Sequence, residues 1–236
     1  MALILIIETA TAYCSVALVK NGVIIASLES DVHNDHAAVL ANYIKQVFDQ
    51  TDNQLKDLHA VAVSKGPGSY TGLRIGVSSA KGLCYSLEIP LIALNTLDGM
   101  AYGMINNIVR ERSQDFNTLF CPMIDARRME VYCAVYNKDM ELIQGTSAEI
   151  IDEHSFESLL NKYQLLFFGD GSQKTMETLG KNPNARIISN FQPSAGYFAT
   201  LAEQSFKEGK FEDMVYFEPY YLKQFIAGTP KVKGLK

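Results

Sequence analysis

Four glycines, at 66, 68, 72 and 76, stand in the stretch Lys65-Gly-Pro-Gly-Ser-Tyr-Thr-Gly-Leu-Arg-Ile-Gly76, where the apolar run Ala60-Val-Ala-Val-Ser64 gives way to a helical pattern. A strand that ends in a glycine-rich turn and feeds a helix offers unpaired backbone N–H groups at the helix start, an arrangement that cradles phosphates and other anions. The spacing excludes the two best-known phosphate loops. Five residues after Gly66 stands Thr71, and five after Gly68 stands Leu73, so no Gly-Lys-Ser/Thr follows either glycine. The third glycine of a dinucleotide fingerprint would fall on Thr71. The alternative use is structural: a turn with positive φ at Gly66 and Gly68, and close packing of a helix on a sheet at Gly72 and Gly76. Both uses stay open on the motif alone.

Other residues with chemical potential are fewer. His33 and His36 are three apart and could touch one ion, but no carboxylate or cysteine at a metal-ligand spacing completes a set with them, and histidines at a helix start are the plain alternative. The cysteines at 14, 84, 121 and 133 form no Cys-x-x-Cys pair and sit in apolar runs, which predicts reduced, buried thiols. Ser15 and Ser69 are available nucleophiles, yet none of the four histidines has a spacing that assigns a base to either.

The elements that must hold these residues follow from pattern. Strands are expected at 3–7, 14–19 and 23–28, the last two joined by Lys20-Asn21-Gly22, a strong hairpin signal. A helix over 36–50 capped by Asn34 or Asp35, a strand at 58–64, a helix at 69–87, a strand at 90–94 and a helix at 95–110 complete a first half. The second half repeats the order: strands at 119–124, 130–136 and 141–144, a helix at 155–162, a strand at 164–168, the turn Gly169-Asp-Gly171, a helix at 172–180, a strand at 185–189 and a helix at 194–209. Two copies of β-β-β-α-β-α predict two α/β subdomains, 1–110 and 111–236, parted by the polar segment Arg110 to Asn117.

At 236 residues, 47% hydrophobic and 20% charged, the chain has the composition of a globular protein with a substantial core. A formal net charge of −5 gives no general attraction to nucleic acid. The opening Met1-Ala-Leu-Ile-Leu-Ile-Ile-Glu8 has no basic leader and too short an apolar run for a signal peptide or membrane span, so a cytoplasmic protein without a membrane role is expected.

The doubled order resembles the actin, sugar-kinase and heat-shock chaperone superfamily. That resemblance implies a cleft between the halves, with Glu8 and Asp125 as the corresponding strand-end carboxylates and Gly169-Asp-Gly171-Ser172 as the second-half glycine turn. The plain alternatives are strand-end capping for the carboxylates and an ordinary turn for Gly-Asp-Gly. Fold alone leaves function open.

Closer in, the chain resembles the TsaB (YeaZ) family of bacterial tRNA threonylcarbamoyladenosine biosynthesis proteins. The pieces that carry it are Ile6-Ile-Glu-Thr9 with Ser15-Val-Ala17, the glycine stretch from Gly66 to Gly76, Ala80-Lys-Gly-Leu83, Ile124-Asp-Ala-Arg127 with Glu130-Val-Tyr132, and Pro219-Tyr-Tyr-Leu222. His36-Ala-Ala38 and Ala41 depart from the family's His-Ser-Glu and later proline. The catalytic paralogue TsaD carries Asn-His-x-x-x-His, whose histidines hold a metal. Here the run is Asn95-Thr-Leu-Asp-Gly-Met100, and Thr96 and Met100 are weak ligands for a hard catalytic ion.

The resemblance therefore implies a noncatalytic scaffold with no cofactor and no metal. It implies a heterodimer with TsaD through the first subdomain, the ATPase TsaE at the shared surface, tRNA met only through the complex, and a possible homodimer in the absence of TsaD. On helix 36–50 two stripes are drawn. Ala37, Ala41, Ile44 and Phe48 are expected to face the core, and Val39, Leu40, Tyr43 and Val47 to face TsaD, joined from the next helix by Leu73, Arg74, Val77 and Lys81. That both helices lie deep in their own domain is the alternative. The tail from Ile226 to Lys236 carries three lysines, read as solvated with phosphate contact as the lesser option. The rival function is a small-molecule kinase using the cleft, or a glycoprotease-like peptidase.

Overall fold

The structure, a computed structural model, describes residues 2–30, 36–111 and 117–223, with backbone alone over 107–111. His33, the expected helix caps Asn34 and Asp35, most of the polar segment between the halves and the lysine-bearing tail lie outside the described residues. The first sheet contains β1 (Leu3–Glu8), β2 (Ser15–Lys20), β3 (Val23–Glu29), β4 (Ala60–Gly66) and β5 (Leu91–Asn95), in the order β3-β2-β1-β4-β5. The second contains β6 (Thr118–Asp125), β7 (Glu130–Tyr136), β8 (Leu142–Ile150), β9 (Gln164–Phe168) and β10 (Ala185–Ile187), in the order β10-β9-β6-β7-β8. In each, an antiparallel meander of three strands continues into parallel strands, the pair of mixed sheets that the doubled element order predicts.

Strand β1 shows why the sheets are covered on both sides. All six of its residues are buried, and a strand with no polar face needs a layer on each side. Leu3, Leu5 and Ile7 face α1 (His36–Asp49) and α2 (Tyr70–Leu87), while Ile4 and Ile6 face Ala195, Phe198, Ala199 and Ala202. The last two residues begin α6 (Ala199–Lys207), which belongs to the second half of the chain.

The exchange is mutual. Helix α3 (Thr96–Glu111), from the first half, places Leu97, Met100, Ala101, Met104 and Ile105 against Phe120, Ile124, Ala134, Leu166 and Phe168 of the second sheet. Where the two exchanged segments cross, α3 carries Gly99 and Gly103, and a Cβ on either would run into the ring of Phe198 or Tyr197. Each sheet thus has one face closed by the other half.

The later helices are shorter than the sequence pattern predicts. Two single turns, α4 (Glu157–Leu160) and α5 (Met176–Leu179), replace the expected 155–162 and 172–180, and residues 195–198 form a 3-10 turn before α6. Strand β8 is longer than expected, because its polar residues pair with β7 as far as Glu130 opposite Ile150. All four cysteines are buried and free. No helix among the described residues is long and apolar enough to cross a membrane.

Candidate functional site

The glycine stretch closes tightly on the end of β1. A Cβ at Gly68 would meet the carbonyl oxygen of Ala10, one at Gly72 the carbonyl oxygen of Thr9, and one at Gly76 the Thr9 hydroxyl. Gly66 has φ +113°, a conformation that strains any side chain, and the backbone of Tyr220 lies directly over it. The N–H groups a phosphate would use are partly engaged: Ser69 N donates to Ala10 O at 2.6 Å, and Gly72 N donates to Ser69 Oγ at 3.2 Å. Gly68 does not take the positive φ expected of it; it, like Gly72 and Gly76, is required by close approach to β1, and only Gly66 needs glycine for its backbone angle as well.

The two strand-end carboxylates have separate fates. Glu8, at the end of β1, is 0% exposed. One of its oxygens accepts from Ala10 N at 2.5 Å, and the other has no partner among the described residues. Burial pushes its carboxyl up to about 7, against the opposing hydrogen bonds from Ala10, Ser64 and Thr9. Asp125, at the end of β6, is half exposed and is engaged by the ammonium of Lys174, which also donates to Glu130 O at 2.6 Å. Asp125 Oδ1 further accepts from Arg127 N, and Asp125 N donates to Asp170 in the Gly169-Asp-Gly171 turn. Gly169 (φ +101°) and Gly171 are crowded by the backbone of Met123 and Ile124, so this turn too is packed on a strand end. Nothing in the sequence pattern placed Lys174 on Asp125, since the pair is 49 residues apart.

Thr96 and Met100, at the positions where the resemblance puts metal-binding histidines, are both 0% exposed, and Met100 belongs to the apolar core on the second sheet. Among the described residues no group of three or more His, Cys, Asp and Glu side chains is placed to hold a metal ion. His36 is buried, with Nε2 2.8 Å from Thr11 O.

The stripes on α1 differ from the expected ones by a rotation of the helix. Leu40 and Val47, expected on the partner face, are 2% and 0% exposed and lie in the core with Ile44 and Phe48, while Ala37 and Ala41, expected inside, are exposed. The reason is area. Turning Leu and Val inward removes far more apolar surface from water than turning two alanines inward. Val39 and Tyr43 are half-buried at the edge of the same core. On α2, Leu73 and Val77 are likewise core residues, and Lys81 donates to Phe217 O at 3.1 Å. Arg74 is exposed, as expected of an interface residue. Exposed small side chains stand on both helices, Ala37, Ala38 and Ala41 on α1 and Thr71, Ser78 and Gly82 on α2, the latter in one stripe with the exposed Arg74 and Tyr85.

A segment that local pattern did not place completes this surface. After α6 the chain bridges to Leu91 through Glu212, then runs back along α2 toward its N-terminus. Tyr220 N donates to Lys65 O at 2.6 Å, Tyr221 packs at a tilt against Tyr70 with ring centres 5.0 Å apart, and Lys223 pairs with Glu130 on the second sheet. This strap covers the glycine turn and links the two halves. The string Pro219-Tyr-Tyr-Leu222 was its one sequence trace.

Comparison with known proteins agrees with this layout. A family model of TsaD, the tRNA N6-adenosine threonylcarbamoyltransferases, matches residues 28–229. The tRNA threonylcarbamoyladenosine biosynthesis protein TsaB of Escherichia coli is 32% identical over 230 residues, covering 95% of this chain and 96% of that one. TsaB of Buchnera aphidicola subsp. Schizaphis graminum is 41% identical over 176 residues, covering 73% and 80%. A crystal structure of a Pseudomonas aeruginosa protein described as similar to peptidase YeaZ superposes with a TM-score of 0.79 at 26% identity, over 94% of this chain and all of that one. Matched along nearly its whole length to proteins of one name and to the transferase family around them, the chain belongs to the TsaB family of tRNA threonylcarbamoyladenosine biosynthesis proteins.

Proposed function

We propose that the chain is a noncatalytic subunit that binds the TsaD transferase and organises it for threonylcarbamoyl transfer to tRNA. The observation that carries this reading is the state of the residues at the ends of β1 and β6 and at the start of α3. Glu8 is sealed under protein, the half-exposed Asp125 is tied to Lys174, and Thr96 and Met100 are packed where a metal site would need histidines. A kinase or transferase would need carboxylates free to hold a metal–phosphate complex, and a phosphate cradle, in that place. The glycine turns that would supply the cradle are packed against backbone.

The surface left for a role is the shared face of α1 and α2. Small side chains on two adjacent helices permit close approach of a partner's helices, with Ala41 and Arg74 in place of the buried Leu40, Val47, Leu73 and Val77 as contact residues. In this reading TsaD docks there, the ATPase TsaE joins at the edge of the same surface, tRNA is met through the assembled complex, and the free chain can pair with itself by the same face. Reconstitution tests it: TsaD, TsaE, tRNA and a source of threonylcarbamoyl-adenylate are combined with and without this chain, and the modified nucleoside is quantified by chromatography. Efficient modification without the chain, or modification by the chain alone, defeats the reading.

A further inference from the structure

Arg74 is held more firmly than an exposed arginine normally is. Its guanidinium carbon lies 4.4 Å from the centre of the Tyr70 ring, its Nε donates to the Tyr221 hydroxyl at 3.3 Å, and the two tyrosines pack on each other. A planar cation over an aromatic face, tied at one nitrogen, keeps its terminal amino groups pointing outward at little further entropic cost. Those groups have no acceptor and no ion-pair partner among the described residues. Glu218 acts on them only at longer range. The other charged residue of α2, Lys81, is turned onto the strap carbonyl of Phe217. One pre-set fork of donors therefore stands alone on the face assigned above to a partner.

We propose that Tyr221 and Tyr70 position Arg74 to receive a carboxylate of the protein partner docked on α2, so that the C-terminal strap sets a specificity contact it does not itself make. This rests on the reading of the α1 and α2 face as the transferase-binding surface. The fork matches a carboxylate in two-point geometry. RNA phosphate is the weaker fit, because a nucleic-acid footprint needs clustered free cations, and α2 offers no second one on a chain of net charge −5.

The test is a binding cycle with purified TsaD, by calorimetry at several salt concentrations, using wild type, Arg74→Ala, Tyr221→Phe and the double variant. Arg74→Ala is expected to weaken association by about thirtyfold and flatten its salt dependence. Tyr221→Phe is expected to keep the wild-type melting temperature yet weaken binding by about threefold to tenfold. In the Arg74→Ala background the tyrosine change is expected to cost nothing further. An equal effect of Tyr221→Phe in both backgrounds overturns the positioning role. Unchanged affinity for Arg74→Ala, or a loss confined to tRNA retention or to self-association, overturns the carboxylate contact while leaving the subunit reading intact. Absence of any wild-type complex overturns the reading itself and the inference with it.

Discussion

Tyr136 donates its phenolic hydrogen to Asp98 Oδ1 at 2.6 Å, joining the last residue of β7 to the first turn of α3. The bond runs between the two halves of the chain in the region where helix α3 covers the second sheet. Burial pushes the Asp98 carboxyl above its ordinary range, with the Tyr136 bond and the charge of Lys65 opposing. Tyr136→Phe removes the donor and leaves a partly buried carboxylate without it, which is expected to cost about 1–3 kcal/mol. Urea denaturation measures it. A loss below about 0.5 kcal/mol, the scatter of surface substitutions, contradicts the assignment.

Glu8 makes stability depend on pH in a stated direction. Its carboxyl titrates near 4.5 when exposed and is raised to about 7 in the folded chain, so the folded state holds the proton more tightly. The contribution is present below pH 4.5 and is lost as pH rises through 7. Glu8→Gln removes the titration, so the wild type is expected to lose about 3 kcal/mol relative to the variant between pH 4 and pH 8. Melts of both proteins across that range check it; a difference independent of pH contradicts it.

The rotation of α1 separates folding from association. Val47→Asp puts an unpaired charge at a fully buried position, at a cost of several kcal/mol, and no cooperative melt is expected. Ala41→Asp changes an exposed residue, so stability is expected to move by less than about 0.5 kcal/mol while association with TsaD weakens. A folded Val47→Asp protein, seen by circular dichroism, would show that α1 sits otherwise.

Two glycines of α2 are predicted to respond oppositely. At Gly76 an added methyl meets the Thr9 side chain, and Gly76→Ala is expected to destabilise by about 1–3 kcal/mol. At Gly82 nothing lies within 4 Å, so Gly82→Ala is expected to stabilise the helix by about 0.5–1 kcal/mol. Differential scanning calorimetry of the two variants distinguishes them, and equal signs would contradict the packing described for the glycine stretch.

The doubled order of elements, the hairpin at Asn21-Gly22 and the strand-to-helix turn at Gly66 were legible because each is written in neighbouring residues: alternation, period and turn chemistry act over a few positions. The short helices at 157–160 and 176–179 were not, since the actual lengths of such segments are set by packing that a local pattern does not contain.

Sequence by itself determined the family, the two-sheet architecture and the absence of histidines at 96 and 100, all properties of residue type and order. Tertiary structure alone decided that Leu40 and Val47 face inward, that Lys174 reaches Asp125, that α3 and α6 are exchanged between the sheets, and that Tyr221 meets Arg74 across 147 positions. Those outcomes depend on which surfaces bury the most area together and which distant groups are thereby brought within reach, and neither quantity exists until the chain has folded.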